Sequence, residues 1–309
     1  MTNGVAALKY RLGVLSKDRL AVEYGFTSIP DLADRRLRSS LLYDGLYFPK
    51  GWEPFARANA ADMTSERGDR LSDITAFFTV PTMGVDPDAV PDSLKKVRKA
   101  IADTLWNYRP QTFPGRIQET YLAKGQNIFR NSCATCHGTY EGALQPGALR
   151  LKEFPNRFSS LSEIGTDPMR AKTASDQALT AALGKSRYQE YMTIQTHDGY
   201  VAPILTGIWA SAPYLHNGSV PTIWHLMHPK ERPTSFMVGG HGLDFKKLGI
   251  RGVAGSGGSY VYIKDYTAWS DPEVYDTKKE GHGNGGHEVE FSNLTEIEKT
   301  ALIEYLKLL

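Results

Sequence analysis

Histidine is missing from the first 136 of the 309 residues, and cysteine occurs only twice in the whole chain. Two cysteines cannot build a disulfide framework. No run of about 18 apolar residues exists, so no stretch has the length of a membrane-spanning helix. Charge of one sign is not in excess either. Lysine and arginine number 36 against 34 acidic residues. Residues 1–132 hold 19 basic and 15 acidic side chains, leaving 17 and 19 for the remainder. Neither part carries the basic excess that nucleic-acid binding calls for. The first twenty residues, MTNGVAALKYRLGVLSKDRL, lack a leader pattern, because Lys9, Arg11 and Lys17 interrupt each apolar stretch. Composition otherwise is that of an ordinary globular chain, at 41% hydrophobic and 23% charged.

What is present is concentrated in one string. Residues 133–137 read Cys-Ala-Thr-Cys-His. Two thiols spaced about one helical turn apart can add to the two vinyl groups of one porphyrin, and the adjacent histidine can then donate its imidazole to the iron. A structural zinc site would want a second cysteine pair or two spaced histidines, and no other cysteine exists. A thioredoxin-like redox pair would want a βαβ context, which the flanking residues do not show. The motif therefore predicts one covalent haem c, held by Cys133 and Cys136 with His137 as the proximal ligand. Attachment of this kind belongs to exported proteins, so a periplasmic or extracellular location and a processed or truncated chain are expected.

The segment before the motif, IQETYLAKGQNIFRNS, places Ile117, Tyr121, Ile128 and Phe129 on a helical stripe, and Gly125 permits close approach of another backbone. The chain ends on a second helical pattern. Thr295 and Glu298 have capping-box spacing, and Ile297, Ala301, Tyr305 and Leu308 share one face. Gly-x-x-Ile-Phe ahead of C-x-x-C-H resembles the first helix of cytochrome c domains, which crosses a C-terminal helix in that fold.

A further string sharpens the resemblance. Residues 210–222, ASAPYLHNGSVPT, are similar to a motif of the bacterial di-haem cytochrome c peroxidases and their relatives, which include the di-haem rubber oxygenases and the enzyme that matures tryptophan tryptophylquinone. The run from Gly283 to Leu309, GNGGHEVEFSNLTEIEKTALIEYLKLL, looks most like the rubber-oxygenase branch. The resemblance covers about residues 100–309. It implies a distal ligand for the haem. In the peroxidases a methionine takes that role, but the matching position here is Lys230, with Met227 and Met237 nearest. In the rubber-oxygenase branch a histidine near the C-terminus does so, and it matches His287. His287 ranks first, then Met227 or Met237, then His216, whose motif position otherwise implies a hydrogen bond near the haem. The peroxidases also hold calcium partly through backbone carbonyls just before the motif histidine; the matching positions are Ser211 and Pro213. Arg116, Arg130 and Arg170 are candidates for the haem propionates.

The family is di-haem, whereas this chain has one C-x-x-C-H. Residues 1–115 are expected to be a helical N-terminal region, either the remnant of a first haem domain or the interface for a redox partner or a second haem-bearing chain. Residues 116–309 are expected to form the haem domain. Trp52 and Trp106 lie upstream; the family uses a tryptophan between its haems as an electron relay, but both are read here as core or surface tryptophans. Helical periodicity is read over residues 5–22, 93–108 and 174–184, a linker over 81–92, and an irregular glycine-rich loop over 239–258. The expected fold is mainly α, a cytochrome c-like haem domain with long loops. The expected function is electron transfer through one haem. The alternative is the electron-relay half of a di-haem peroxidase or dioxygenase whose catalytic haem lies elsewhere.

Overall fold

The computed structural model describes residue 28, residues 30–71 except 65 and 68, residues 100–174 except 105, and residues 187–309. The helices expected over 5–22 and 174–184 and the linker over 81–92 fall largely or wholly outside these residues. Of the helix expected over 93–108, the described part is helical to Asn107.

Two eleven-residue helices form the centre. α1 spans Leu122–Ser132 and runs directly into the one-turn helix α2, Ala134–His137. The short helices α3, Leu161–Ile164, α4, Met169–Ala174, α5, Ile223–Met227, and α6, Glu288–Ser292, precede the C-terminal helix α7, Glu296–Leu306. The capping box of α7 is formed. The Thr295 hydroxyl accepts from the Glu298 amide, and the Glu298 carboxylate accepts from the Thr295 amide at 2.9 Å. These bonds satisfy donors that a helix start leaves open.

α1 crosses α7 at Gly125. A Cβ there would lie 2.0 Å from the Ala301 carbonyl oxygen, so only glycine allows this approach. Phe129 and Tyr305 meet in the same crossing, with ring centroids 5.2 Å apart. α7 is not amphipathic in place. Ala301 to Leu306 are all buried, whereas Ile297, expected on the packed face, is 59% exposed. Glu304 is buried in the middle of this run. It accepts from the Gln118 amide at 2.9 Å and from Lys307 Nζ at 2.6 Å, which explains how a carboxylate is tolerated there.

The expectation of a mainly α fold is wrong. Among the described residues, thirteen strands form five small sheets, so the architecture is mixed. The central strand Arg150–Phe154 pairs antiparallel with Ala58–Asn59 on one side and Thr139–Glu141 on the other. Tyr47–Pro49 pairs with Met192–Ile194, and Phe158–Ser160 with Gly199–Val201, both antiparallel. The glycine-rich 239–258 segment is not an irregular loop throughout. Leu243–Asp244 and Gly249–Ile250 pair as a hairpin, and Val253–Ala254 is the edge of a four-stranded sheet. In that sheet Ser259–Val261 lies parallel to Ser235–Val238, which pairs antiparallel with Glu273–Asp276. These strands are two to five residues long, too short to print an alternating pattern in the sequence.

The main core packs α1, α5 and α7 against Tyr140, Phe154, Trp209 and Tyr214. A second cluster of Phe236, Ile250, Tyr260 and Tyr275 lies under the four-stranded sheet. The described N-terminal residues are tied into this body by buried polar anchors. The Asn156 side chain accepts from the Ser39 amide and donates to the Leu37 and Ala56 carbonyls at 2.8 Å each. Arg38 donates to the carbonyls of Ser40, Leu42 and Ala202.

Candidate haem site

α1 and α2 deliver the C-x-x-C-H motif to the wall of a cavity that is partly open to solvent. The Cys133 amide donates to the Phe129 carbonyl and the His137 amide to the Cys133 carbonyl, each at 2.8 Å, so the helical path runs on through the motif. Both thiols are half-buried, free, and line the cavity. Burial pushes the Cys133 thiol up to about 12, with Cys136 and Glu290 adding to the effect, so it is held as the thiol. α2 stops at Gly138, whose φ is +90°. A Cβ there would come within 2.5 Å of the Glu153 carbonyl, so glycine lets the motif turn against the central strand.

His137 points its Nδ1 at the Pro203 carbonyl, 2.8 Å away. A carbonyl can only accept, so the proton sits on Nδ1 and Nε2 keeps its lone pair. Burial holds His137 down to about 4; the Pro203 bond opposes this, and His287 adds to it. The imidazole is therefore neutral at neutral pH.

His287 lines the same cavity. It caps α6 in the left-handed conformation, φ +64°, after Gly286 at φ +118°. The glycine-rich run turns the chain sharply enough to aim this side chain inward. Burial, helped by the Arg232 charge, lowers His287 to about 4. The rings of His137 and His287 face each other with centroids 6.2 Å apart and planes inclined by 29°. A metal bonded to one nitrogen of each imidazole at about 2.0 Å would set the centroids a little over 6 Å apart. The observed separation matches that spacing. Nδ1 of His287 and Nε2 of His216 are buried without a hydrogen-bond partner.

The walls are mainly apolar. Phe129, Ile204, Leu205, Ile223, Leu302 and Leu306 line the cavity, with Met227 from α5 among them. A porphyrin needs such walls. Polar groups gather around His216, which stacks on Tyr200 at 4.2 Å and meets Thr166 Oγ1 at 3.4 Å. Burial lowers His216 to about 3, and Arg170 lowers it further. Tyr43 and Ser28 complete that end.

The other expected residues are placed as follows. Met237 lies on a strand, opposite Val274, and does not line the cavity. Ser211 lines it, and the Pro213 carbonyl accepts from the Ser28 hydroxyl at 3.0 Å. Arg116 and Arg130 are exposed, and Arg170 pairs with Asp44 at 3.1 Å; none of the three lines the cavity. Trp52 lies under the Arg67 guanidinium at 4.3 Å and Trp106 under Arg36 at 4.8 Å, both away from the cavity. His225 is bound to Thr222 Oγ1, and His228 to the Trp224 carbonyl through Nδ1 and to the Glu296 carboxylate through Nε2. Pro203, Tyr43, Tyr200 and Thr166 were missed by sequence reasoning, because a carbonyl acceptor or a wall residue carries no motif.

Residues 199–237 match a family model described as RoxA-like, cytochrome c-like. The matched stretch holds Tyr200, Pro203, His216 and Met227, which line the cavity. The match supports a cytochrome c-like haem domain and suggests haem c as its cofactor. The chain is also similar to two proteins of Sinorhizobium fredii (strain NBRC 101917 / NGR234), y4iM and y4iJ, both described as uncharacterized. The first is 28% identical, with 61% of this chain and 45% of that protein covered. The second is 29% identical, with 65% of this chain and 41% of that protein covered. The chain thus spans less than half the length of either relative. No helix among the described residues is long and apolar enough to cross a membrane.

Proposed function

We propose that the chain is a periplasmic or extracellular electron-transfer protein carrying one covalent haem c. The facing of His137 and His287 across the cavity at 6.2 Å carries this reading. Cys133 and Cys136 would form the thioethers, His137 the proximal bond and His287 the distal one. Such a haem supplies one-electron exchange at its iron. The rest is done by the chain. The Pro203 carbonyl holds the proton on His137 Nδ1 and so fixes which nitrogen is free to bind. Apolar walls exclude water. With His137 and His287 both holding the iron, the haem would suit electron transfer and would have a lower potential than with a histidine–methionine pair.

A second reading has its own support. The ASAPYLHNGSVPT string and the RoxA-like match favour the electron-relay half of a di-haem peroxidase or dioxygenase, with the catalytic haem supplied elsewhere. Expression with a cytochrome c maturation system, followed by the alkaline pyridine spectrum, tests the proposal. One c-type haem per chain with both vinyls saturated is expected, and Cys133→Ser should shift the band as one vinyl is regained. A b-type spectrum, or two haems per chain, overturns the assignment. Peroxide turnover well above that of an ordinary cytochrome c would favour the second reading.

A further inference from the structure

Arg232 is buried, with its side chain 3% exposed, and lies outside the haem cavity. Its guanidinium makes five hydrogen bonds. Nη1 donates to the Asn284 carbonyl at 2.5 Å and to Glu288 Oε1 at 3.0 Å. Nη2 donates to the Gly286 carbonyl at 2.8 Å and to the Leu226 carbonyl at 2.8 Å. Nε donates to the His225 carbonyl at 3.3 Å. Five donors in a rigid fork is the full capacity of arginine, and lysine has three on a flexible stem.

The two sets of acceptors belong to different elements. His225 and Leu226 lie on α5, whose Met227 and Leu226 line the cavity. Asn284 and Gly286 belong to the turn just before His287. That turn is left-handed at Gly286 and His287, which costs a non-glycine residue energy unless its surroundings hold it there. Glu288 closes the arrangement. Its Oε1 takes both Arg232 Nη1 and the Gly286 amide, the latter at 3.1 Å. The turn is thus fastened to a wall of the cavity by one side chain, at the residue immediately before His287.

We infer that Arg232 is the positioning residue for His287, fixing the turn so that its imidazole faces His137 across the cavity. The inference rests on the axial role proposed for His287. Replacing the partners that orient metal ligands typically costs about 10–100-fold in metal affinity or activity.

The test uses the haem-loaded full chain. Arg232→Lys keeps the charge and removes the fork. Its carbon monoxide association in the ferrous form should be at least about tenfold faster than in the wild type. Its ferric form should gain high-spin character that added imidazole reverses, while the haem stays covalently attached. Asn156→Ala serves as the comparison, since it removes a buried side chain's bonds to three backbone groups, none of them in the turn. It should lower the thermal midpoint and leave carbon monoxide association unchanged. If Arg232→Lys does not accumulate with haem, Glu288→Ala is read the same way: faster association supports the inference, and a wild-type rate overturns it. A low-spin, slow-binding Arg232→Lys overturns it, as does an equal acceleration in Asn156→Ala. If His287→Ala opens the iron but Arg232→Lys does not, the positioning role falls and the ligation stands. If His287→Ala leaves the spectrum unchanged, the ligation itself falls.

Discussion

Gly125 of the first long helix lies directly against Ala301 of the last. A Cβ on Gly125 would meet the Ala301 oxygen at 2.0 Å, and the Ala301 carbonyl carbon and Tyr305 Cβ at 2.8 Å. Backbone cannot swing aside as a side-chain tip can. The contact therefore sets the spacing of the two helices, and through it the position of the C-x-x-C-H motif at the end of the first.

Gly125→Ala pits two effects against each other. Alanine is the better helix former by about 1 kcal/mol. Overpacking against a fixed backbone costs roughly 1–3 kcal/mol or more. The clash wins, because separating the helices also loosens Phe129 against Tyr305. The expected outcome is a lower thermal midpoint, by about 2–4 °C for each kcal/mol lost net. A variant melting at or above the wild type would mean that the helices are not held this closely.

Local features were legible in the sequence. The haem motif, the Thr295–Glu298 capping box and the close approach at Gly125 each depend on a few neighbouring residues, and two of them, the cap and the approach, are formed as read. The strands were not legible. Pairs such as Val253–Ala254 with Ser259–Val261 are held by long-range backbone bonds, with too few residues to alternate. Burial on the last helix was misread at Ile297 and not read at all at Glu304. Ile297 is exposed in the first turn, and Glu304 is buried because Lys307 and the Gln118 amide satisfy it. The facing of His137 and His287 was reachable only through family resemblance, since nothing in a glycine-rich loop states where it folds back. Pro203 and Arg232 act through backbone carbonyls, which every residue carries.

Buried neutral histidines make the fold sensitive to acid. His225 bonds Thr222 Oγ1 at 2.8 Å, and burial, aided by Lys247, His228 and Arg232, lowers it to about 3. In the unfolded chain it titrates near the ordinary value of about 6.5. Between these values the unfolded state holds the extra proton. The stability due to neutral His225 is therefore whole above pH ~6.5 and declines toward pH ~3, by about 1.4 kcal/mol per pH unit. Guanidinium unfolding of His225→Gln and wild type at pH 7 and at pH 5 checks this. The variant is expected to lose less stability between the two pH values. Equal losses would show that His225 is not held neutral.

The axial ligand on the second face separates the candidates most sharply. His287 and Met227 line the cavity with His137, while Met237 lies on a strand away from it. His216 also lines the cavity, but its ring is stacked on Tyr200 and its Nδ1 lies 3.4 Å from the Thr166 hydroxyl. Replacing His287 with alanine should open one face of the iron, raise the high-spin fraction and allow rapid carbon monoxide binding in the reduced form. Haem content should not change, because the thioethers at Cys133 and Cys136 do not depend on the sixth ligand. His216→Ala should shift the potential and leave the iron six-coordinate, and Met227→Leu should leave the low-spin spectrum intact. The wild-type ferric protein should lack the methionine–iron charge-transfer band at the red end of the spectrum. If that band is present and vanishes in Met227→Leu, Met227 is the ligand, and His287 faces the haem without binding it.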